Sequence, residues 1–253
     1  NPEGLAVRLS DRHYGIGGDG VIIIDNSDKA DAKMTMFNRD GSEGLMCGNA
    51  IRCVAKYLFD SGSINKTDLT IETSSGIKSL KLYHRNGEVA LVTVNMGKAQ
   101  MKPEKVPVQL AGDKIVDREV VIGTEKFNIT CVSMGNPHCV VFCDIIDNID
   151  IEKLGPMIEC DDLFPERVNV EFVKVVNRHT LKMRVWERGS GETFACGTGA
   201  CAAAVAAVEN GFCAKNEEIC VKLVGGDLHV KYTDDAVYMT GSAIKSFEGV
   251  VEI

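Results

Sequence analysis

The chain has 253 residues, of which 45% are hydrophobic and 25% charged, and its formal net charge is −8. That length fits one large domain or two of about 100–150 residues, and the composition is that of an ordinary globular protein. The acidic balance excludes a surface built for non-specific nucleic-acid binding, and no apolar run nears the ~20 residues of a membrane-spanning helix.

The first motif, Gly15-Ile16-Gly17-Gly18-Asp19-Gly20, formally matches the dinucleotide-binding pattern. That pattern should follow a strand and open a helix. Here it leads into Val21-Ile22-Ile23-Ile24, so it reads as a tight turn into a strand over 20–25. A second strand is expected over 33–37 and a long helix after Cys47, ending at Gly62 as helix C-terminal glycines do. β-Branched runs flanked by Gly, Asn and Asp predict strands over 68–73, 77–83 and 89–96. The segment 97–107, with Pro103 and Pro107, breaks the periodicity and marks a join. Strands follow over 126–133 and 139–143, then a short helix over 151–160 and strands over 169–176 and 180–187. The second long helix starts after Cys196 and ends at Gly211, and strands over 218–224, 228–232 and 236–241 complete the pattern.

The two helix starts are one phrase written twice, 149 positions apart: Met46-Cys47-Gly48-Asn49-Ala50 and Ala195-Cys196-Gly197-Thr198-Gly199. At the same offset Arg39 pairs with Arg188, Glu43 with Glu192 and Gly62 with Gly211. The strand–glycine turn–strand of 70–78 recurs at 220–228. The expectation is therefore an α+β protein of two pseudo-symmetric halves, each a sheet or barrel wrapped around a central helix. The halves are 1–98, carrying Cys47, and 99–242, carrying Cys196, with a C-terminal strand over 243–253 returning to the first. Ala200 to Ala207 is small and apolar all round, so the second helix should be buried.

Ten cysteines need an account. A chain of this length builds a core without disulfide staples. No Cys-x-x-Cys or His-x-x-x-His pair occurs, so a metal site has little support. Cys53, Cys131, Cys139, Cys143, Cys160, Cys201, Cys213 and Cys220 read as small buried hydrophobes in a reducing compartment. Cys47 and Cys196 stand apart because each sits at a helix N-terminus. The dipole there favours a thiolate and is expected to lower the thiol from about 8.5 toward neutrality. Two such thiols on similar halves suit inversion of a stereocentre, one as base and one as conjugate acid. The backbone N–H groups after each cysteine suit an α-carboxylate.

Phe37-Asn38-Arg39-Asp40-Gly41-Ser42-Glu43, Met46-Cys47-Gly48-Asn49, Gly135-Asn136-Pro137-His138, Val168-Asn169-Val170 and the run from Trp186 to Gly199 resemble the diaminopimelate epimerase family. They stand in the family's order and span essentially the whole chain. The resemblance implies a cofactor-free isomerase that interconverts LL- and meso-diaminopimelate in lysine and cell-wall precursor synthesis. It also implies a homodimer located in the cytoplasm, or in a plastid where a transit segment has been removed. No metal, nucleic acid or membrane is implied as partner. By the family pattern Cys47 and Cys196 are the acid and base, and Gly48, Asn49, Gly197 and Thr198 hold the α-carboxylate. Glu187 meets the α-ammonium, Asn38, Asn169 and Arg188 hold the distal end, Asn136 binds substrate, and His138 supports the thiols. The resemblance further implies a strand and a Gly-Asn-Asp segment upstream of residue 1. Two other readings compete. A proline racemase or hydroxyproline epimerase shares the doubled architecture and paired cysteines, and a thiol redox or metal-binding module would use the cysteines without needing Glu187 or Arg188.

Overall fold

The computed structural model describes residues 1–252. It divides into two compact units, one formed by Asn1–Asn95 with the segment that begins at Gly241, the other by Met96–Thr240.

The first unit opens with helix α1 (Pro2–Ser10), which Asn1 caps by accepting a hydrogen bond from Gly4 N–H. Strands β1 (Gly20–Asp25), β2 (Ala32–Asn38) and β3 (Glu43–Gly44) lead into helix α2 (Gly48–Asp60). Strands β4 (Asp68–Thr73), β5 (Gly76–Arg85) and β6 (Glu88–Gly97) follow. β1 and β2 are antiparallel, β2 and β4 parallel, and β4, β5 and β6 successively antiparallel, while β3 folds back on β2. Alternate residues of β4, Leu69, Ile71 and Thr73, point inward, as a half-buried strand requires. On α2 the buried Ile51, Val54, Ala55 and Leu58 fall at i, i+3, i+4 and i+7, which makes one apolar stripe. Tyr57 and Cys53 on the other face are exposed.

A 3₁₀ turn at Pro103–Lys105 lies near the start of the second unit. Its elements are β7 (Arg118–Ile122), β8 (Glu125–Ser133), β9 (Pro137–Phe142), α3 (Ile151–Glu159), β10 (Asn169–Asn177), β11 (Thr180–Glu187), β12 (Gly191–Thr193), α4 (Gly197–Glu209), β13 (Glu218–Leu223), β14 (Gly226–Tyr232) and β15 (Val237–Ser242). The strand order is β15-β14-β13-β11-β10-β9-β8-β7, with β12 paired to β11. Helix α4 packs against β8, β9, β10, β11, β13 and β14. That enclosure is possible because Ala200 through Ala207 are all buried and small, so the helix needs no polar face. A hydrophobic core packs Ile151 and Ile158 of α3 with Ile122, Ile129, Val141, Phe164 and Phe172.

The internal repeat runs further than the motifs predicted. The series α1 to β6 recurs as α3 to β15, element for element and with the same pairing senses. α1 and α3 are both nine residues long and stand 149 positions apart. Gly62 and Gly211 end the two long helices with φ of 76° and 77°, the left-handed region where glycine carries no side-chain penalty. Among the described residues no helix is long and apolar enough to cross a membrane.

Several expectations need correction. α1 and β7 were not foreseen. The C-terminal strand expected from 243 is absent over 243–252, where the backbone joins no ladder; Arg8 instead reaches the carbonyl of Glu252 at 3.1 Å. Only Cys131, Cys139, Cys201 and Cys213 of the eight cysteines read as core are buried. Cys53 is exposed and Cys220 partly exposed because each falls on the outward side of its element, while Cys143 and Cys160, partly exposed and exposed, stand just past the ends of β9 and α3.

Gly155 on α3 lets that helix lie directly on Trp186, since a Cβ at 155 would stand 2.5 Å from the indole Cγ and Cδ2. Gly155→Ala is therefore expected to destabilise the fold by about 1–3 kcal/mol through overpacking. Thermal unfolding of the folded variant checks this, and an unchanged midpoint would contradict the packing.

Candidate active site

Each unit presents a cysteine as the N-cap of a 13-residue helix. Cys47 caps α2 with φ −130° and ψ 123°, and Cys196 caps α4 with φ −123° and ψ 113°. The short strand before each cap, β3 or β12, and the glycine after it give the two sulfurs the same local setting. Beyond that, the two starts differ.

In the first unit the Cys47 side chain makes no capping bond. Arg52, buried on the same helix, donates from Nη1 to the Gly48 carbonyl at 2.9 Å and from Nη2 to Asn49 Oδ1 at 2.9 Å. Its Nε donates to the Ser242 carbonyl at 3.2 Å. The Asn49 amide is thereby held at the helix start. Asn38 ends β2 and closes a tight turn: its N–H donates to the Ser42 carbonyl at 2.8 Å and its Nδ2 to Ser42 Oγ at 3.0 Å.

In the second unit Cys196 is buried, and its Sγ accepts the Gly199 N–H at 3.3 Å and lies 3.5 Å from Thr198 Oγ1. Thr198 Oγ1 accepts from Asn136 Nδ2 at 3.2 Å, and Asn136 Oδ1 lies 3.1 Å from His138 Nε2. His138 Nδ1 in turn meets Glu171 Oε1 at 2.7 Å, both residues being fully buried. Four residues expected at the site, Cys196, Thr198, Asn136 and His138, thus join one hydrogen-bonded chain. With Gly199 N–H taken by the sulfur, the N–H groups of Gly197 and Thr198 are the first-turn donors left to face a ligand.

Glu187 and Arg188 sit where β11 turns toward β12. Glu187 accepts from the Thr193 hydroxyl, and Arg188 Nη1 donates to the Glu166 carbonyl at 2.8 Å. Asn169 holds this turn by its own amide: Oδ1 accepts Arg188 N–H at 2.9 Å and Nδ2 donates to the Pro137 carbonyl at 2.8 Å. One side chain thus ties the Arg188 turn to the Asn136–His138 strand start.

The resting state of Cys196 overturns the dipole expectation. Burial pushes this thiol well above its ordinary range, and the nearby carboxylates of Glu187 and Glu171 push it further. The Thr198 hydroxyl and the Gly199 N–H favour the thiolate but do not offset those effects. A dipole worth roughly 0.3–2 kcal/mol cannot match full desolvation beside two acids.

Two site residues escaped the sequence reading. Glu171 interrupts the apolar run Val170-Glu171-Phe172-Val173, and a carboxyl in such a strand must find a partner, so a signal was there. Glu159 gave no signal. Buried at the end of α3, it accepts Gly189 N–H at 2.9 Å and Trp186 Nε1–H at 2.7 Å, and it pairs with Arg167 at 3.0 Å.

The fold and the doubled cysteine caps place the chain in a class of two-part α+β folds with an internal repeat. A hydroxyproline epimerase from Agrobacterium vitis matches it with a TM-score of 0.68 at 17% identity, over 96% of this chain and 77% of that one. A Bacillus anthracis phenazine biosynthesis protein of the PhzF family matches with 0.66 at 17% identity, over 98% and 88%. At those identities the likeness is one of fold. The sequence is more specific. The diaminopimelate epimerase family profile matches residues 1–102 and 130–246. The diaminopimelate epimerase of Acetivibrio thermocellus is 52% identical over all of this chain and 90% of its own length. That of Methanococcus maripaludis strain S2 is 48% identical over 100% and 91%. The chain belongs to the diaminopimelate epimerase family, whose members are isomerases that work without pyridoxal phosphate.

Trp186 is the sole tryptophan of the chain, so its fluorescence reports on the Glu159 anchor. Glu159→Ala leaves the part-buried indole N–H and the Gly189 N–H without their protein acceptor, at a cost of about 1 kcal/mol for the pair of bonds. A lower unfolding midpoint with altered Trp186 emission is expected, and unchanged emission would argue against the anchor.

Proposed function

We propose that this chain interconverts LL- and meso-diaminopimelate by passing the α-proton between Cys47 and Cys196, without a cofactor. The observation that carries the reading is the repeated cysteine cap on two helix starts, in a chain that matches this family from end to end. Removing an α-proton leaves a carbanion that needs stabilisation, and donors aimed at the α-carboxylate supply it when no electron sink is present. The first-turn N–H groups of α2 and α4, at Gly48, Asn49, Gly197 and Thr198, suit that carboxylate.

A two-base reaction needs one thiol protonated while the other is not. Cys196 rests as the thiol and so suits the proton donor. The substrate α-ammonium beside Glu187 would cancel one of the two negative charges that hold Cys196 in that form. Binding would then ease its ionisation, which the reverse direction requires. Arg188 suits the distal carboxylate as a planar fork, with Asn38 beside that end and Asn169 holding the Arg188 turn. A cyclic imino acid has no such distal charge, so proline is the weaker substrate choice. Asn136 and His138 support Cys196 through Thr198. We further infer a homodimer in the cytoplasm, for which light scattering of the purified chain and cell fractionation are the checks.

Cys47→Ser and Cys196→Ser should each lower epimerisation by at least about a thousandfold, because a serine hydroxyl is a poor acid or base near neutrality. A stereospecific assay in deuterated water is decisive, since wild type should incorporate solvent deuterium at the α-carbon as it inverts it. Wild-type turnover in either variant, or turnover of proline alone, would overturn the assignment.

A further inference from the structure

Glu171 lies near the start of β10 with no exposed surface, and the repeat gives it no catalytic counterpart. Its Oε1 has two neighbours. One is His138 Nδ1 at 2.7 Å; the other is the first turn of α4, where a Cβ on Gly199 would stand 2.7 Å from the same oxygen and 3.2 Å from Cys196 Sγ. Its Oε2 is buried with no hydrogen-bond partner among the described residues. Glycine at 199 is thus what lets a buried carboxyl approach the turn that carries the sulfur.

The donor–acceptor order along the chain follows from this end. Asn136 Nδ2 donates to Thr198, so Asn136 Oδ1 accepts from His138 Nε2–H. Nδ1 and Oε1 then hold one proton between them, whichever atom carries it, and the Thr198 hydroxyl hydrogen is left free to point at Cys196 Sγ. His138 reaches α4 only through Asn136 and Thr198, whereas the carboxyl of Glu171 touches the helix start itself. The carboxyl is therefore the end of the pair nearer the sulfur, and it is the negative end when the shared proton lies on Nδ1.

We propose that Glu171 is a positioning residue for Cys196: it presents the negative end of a buried pair to the first turn of α4 and, through His138, Asn136 and Thr198, fixes the hydrogen bonds that reach the sulfur. Cys196 consequently rests as a proton donor. This rests on the reading of Cys196 as a catalytic thiol. Within this unit the charged or titratable groups that bear on Cys196 are Glu187 on β11 and Glu171 on β10, with His138 on β9 behind Glu171. Glu187 sits at a strand end, where a substrate cation can cancel it. Glu171 is sealed in the core and acts on the thiol with or without substrate.

The test is a pH titration of the full chain labelled at cysteine ¹³Cβ, with the Cys196 resonance assigned by its loss in Cys196→Ser. In Glu171→Gln the Cys196 midpoint should move to lower pH by about one unit, a tenfold change in its ionisation constant. Glu171→Asp keeps the charge but draws it back by one methylene, and should move the midpoint the same way by less. The pH profile of turnover should follow in both. A Cys196 midpoint that stays in place or rises in folded Glu171→Gln would overturn the proposal; if that variant does not fold, the same result in Glu171→Asp would do so. Turnover of Cys196→Ser separates the two ideas. If it stays active while Glu171→Gln still shifts the midpoint, the catalytic reading fails and the role of Glu171 stands. If it is dead while the midpoint is unmoved, the reverse holds.

Discussion

A sulfur atom at the buried start of a helix is the constraint around which the second unit is organised. The dipole of α4 favours a thiolate, and the surrounding protein favours a thiol. Desolvation and two carboxylates prevail over a macrodipole, one N–H and one hydroxyl. Each neighbouring residue can be placed by its side in that contest. Gly199 is bare because the Glu171 carboxyl and Cys196 both press on it. Thr198 offers an oxygen that Asn136 can reach and a hydrogen that the sulfur can accept. The alanines behind them let the sheet close on the helix, and that closure excludes the water which would otherwise screen the acids.

The repeat writes the same device twice and then tunes the copies apart. At the position that Cys201 occupies in α4, α2 carries Arg52, whose guanidinium gathers the Gly48 carbonyl, the Asn49 amide and the Ser242 carbonyl. A cation at one helix start and a buried acid near the other give two cysteines of similar backbone setting different electrostatic surroundings. The two-base reaction we propose, which needs opposite protonation states at the same moment, calls for such asymmetry. A perfect repeat would not supply it.

Much of this was legible in the sequence, and what was not has identifiable causes. The long helices, their glycine stops and most strands follow from periodicity and breakers, which are local signals. α1 was missed although its cues were present: Asn1 as cap, Pro2 at the first helical position, Glu3 early and Arg8 late. The 149-residue offset would have exposed it by mapping 151–159 back onto 2–10. β7 was missed because Arg118 to Ile122 is short and depends on its pairing with β8. The motif residues of the second unit gather into connected hydrogen-bond networks, yet the acids that steady them, Glu171 and Glu159, lie outside every motif. Their roles exist only once β10 and α3 are packed. Cys196 was misjudged for the same reason: a helix dipole can be read from sequence, whereas burial beside two carboxylates cannot.

The Glu171–His138 pair also shows what the fold tolerates for the sake of this site. Burial raises the Glu171 carboxyl above the usual carboxylate range, with His138 pulling it back only in part. A carboxyl with a raised folded-state value ionises first in the unfolded chain. Its contribution to stability is therefore fully present below the ordinary value and falls away as pH rises through the raised one. At neutral pH the group weighs against folding, and an apolar residue of similar volume would on general grounds cost less. Stability alone therefore gives no reason for Glu171, for its unmatched Oε2, or for the glycine opposite it. Held together by one sulfur atom, these three features make sense as parts of a device that sets the proton on Cys196, and the destabilisation they carry is the trace of that role in the structure.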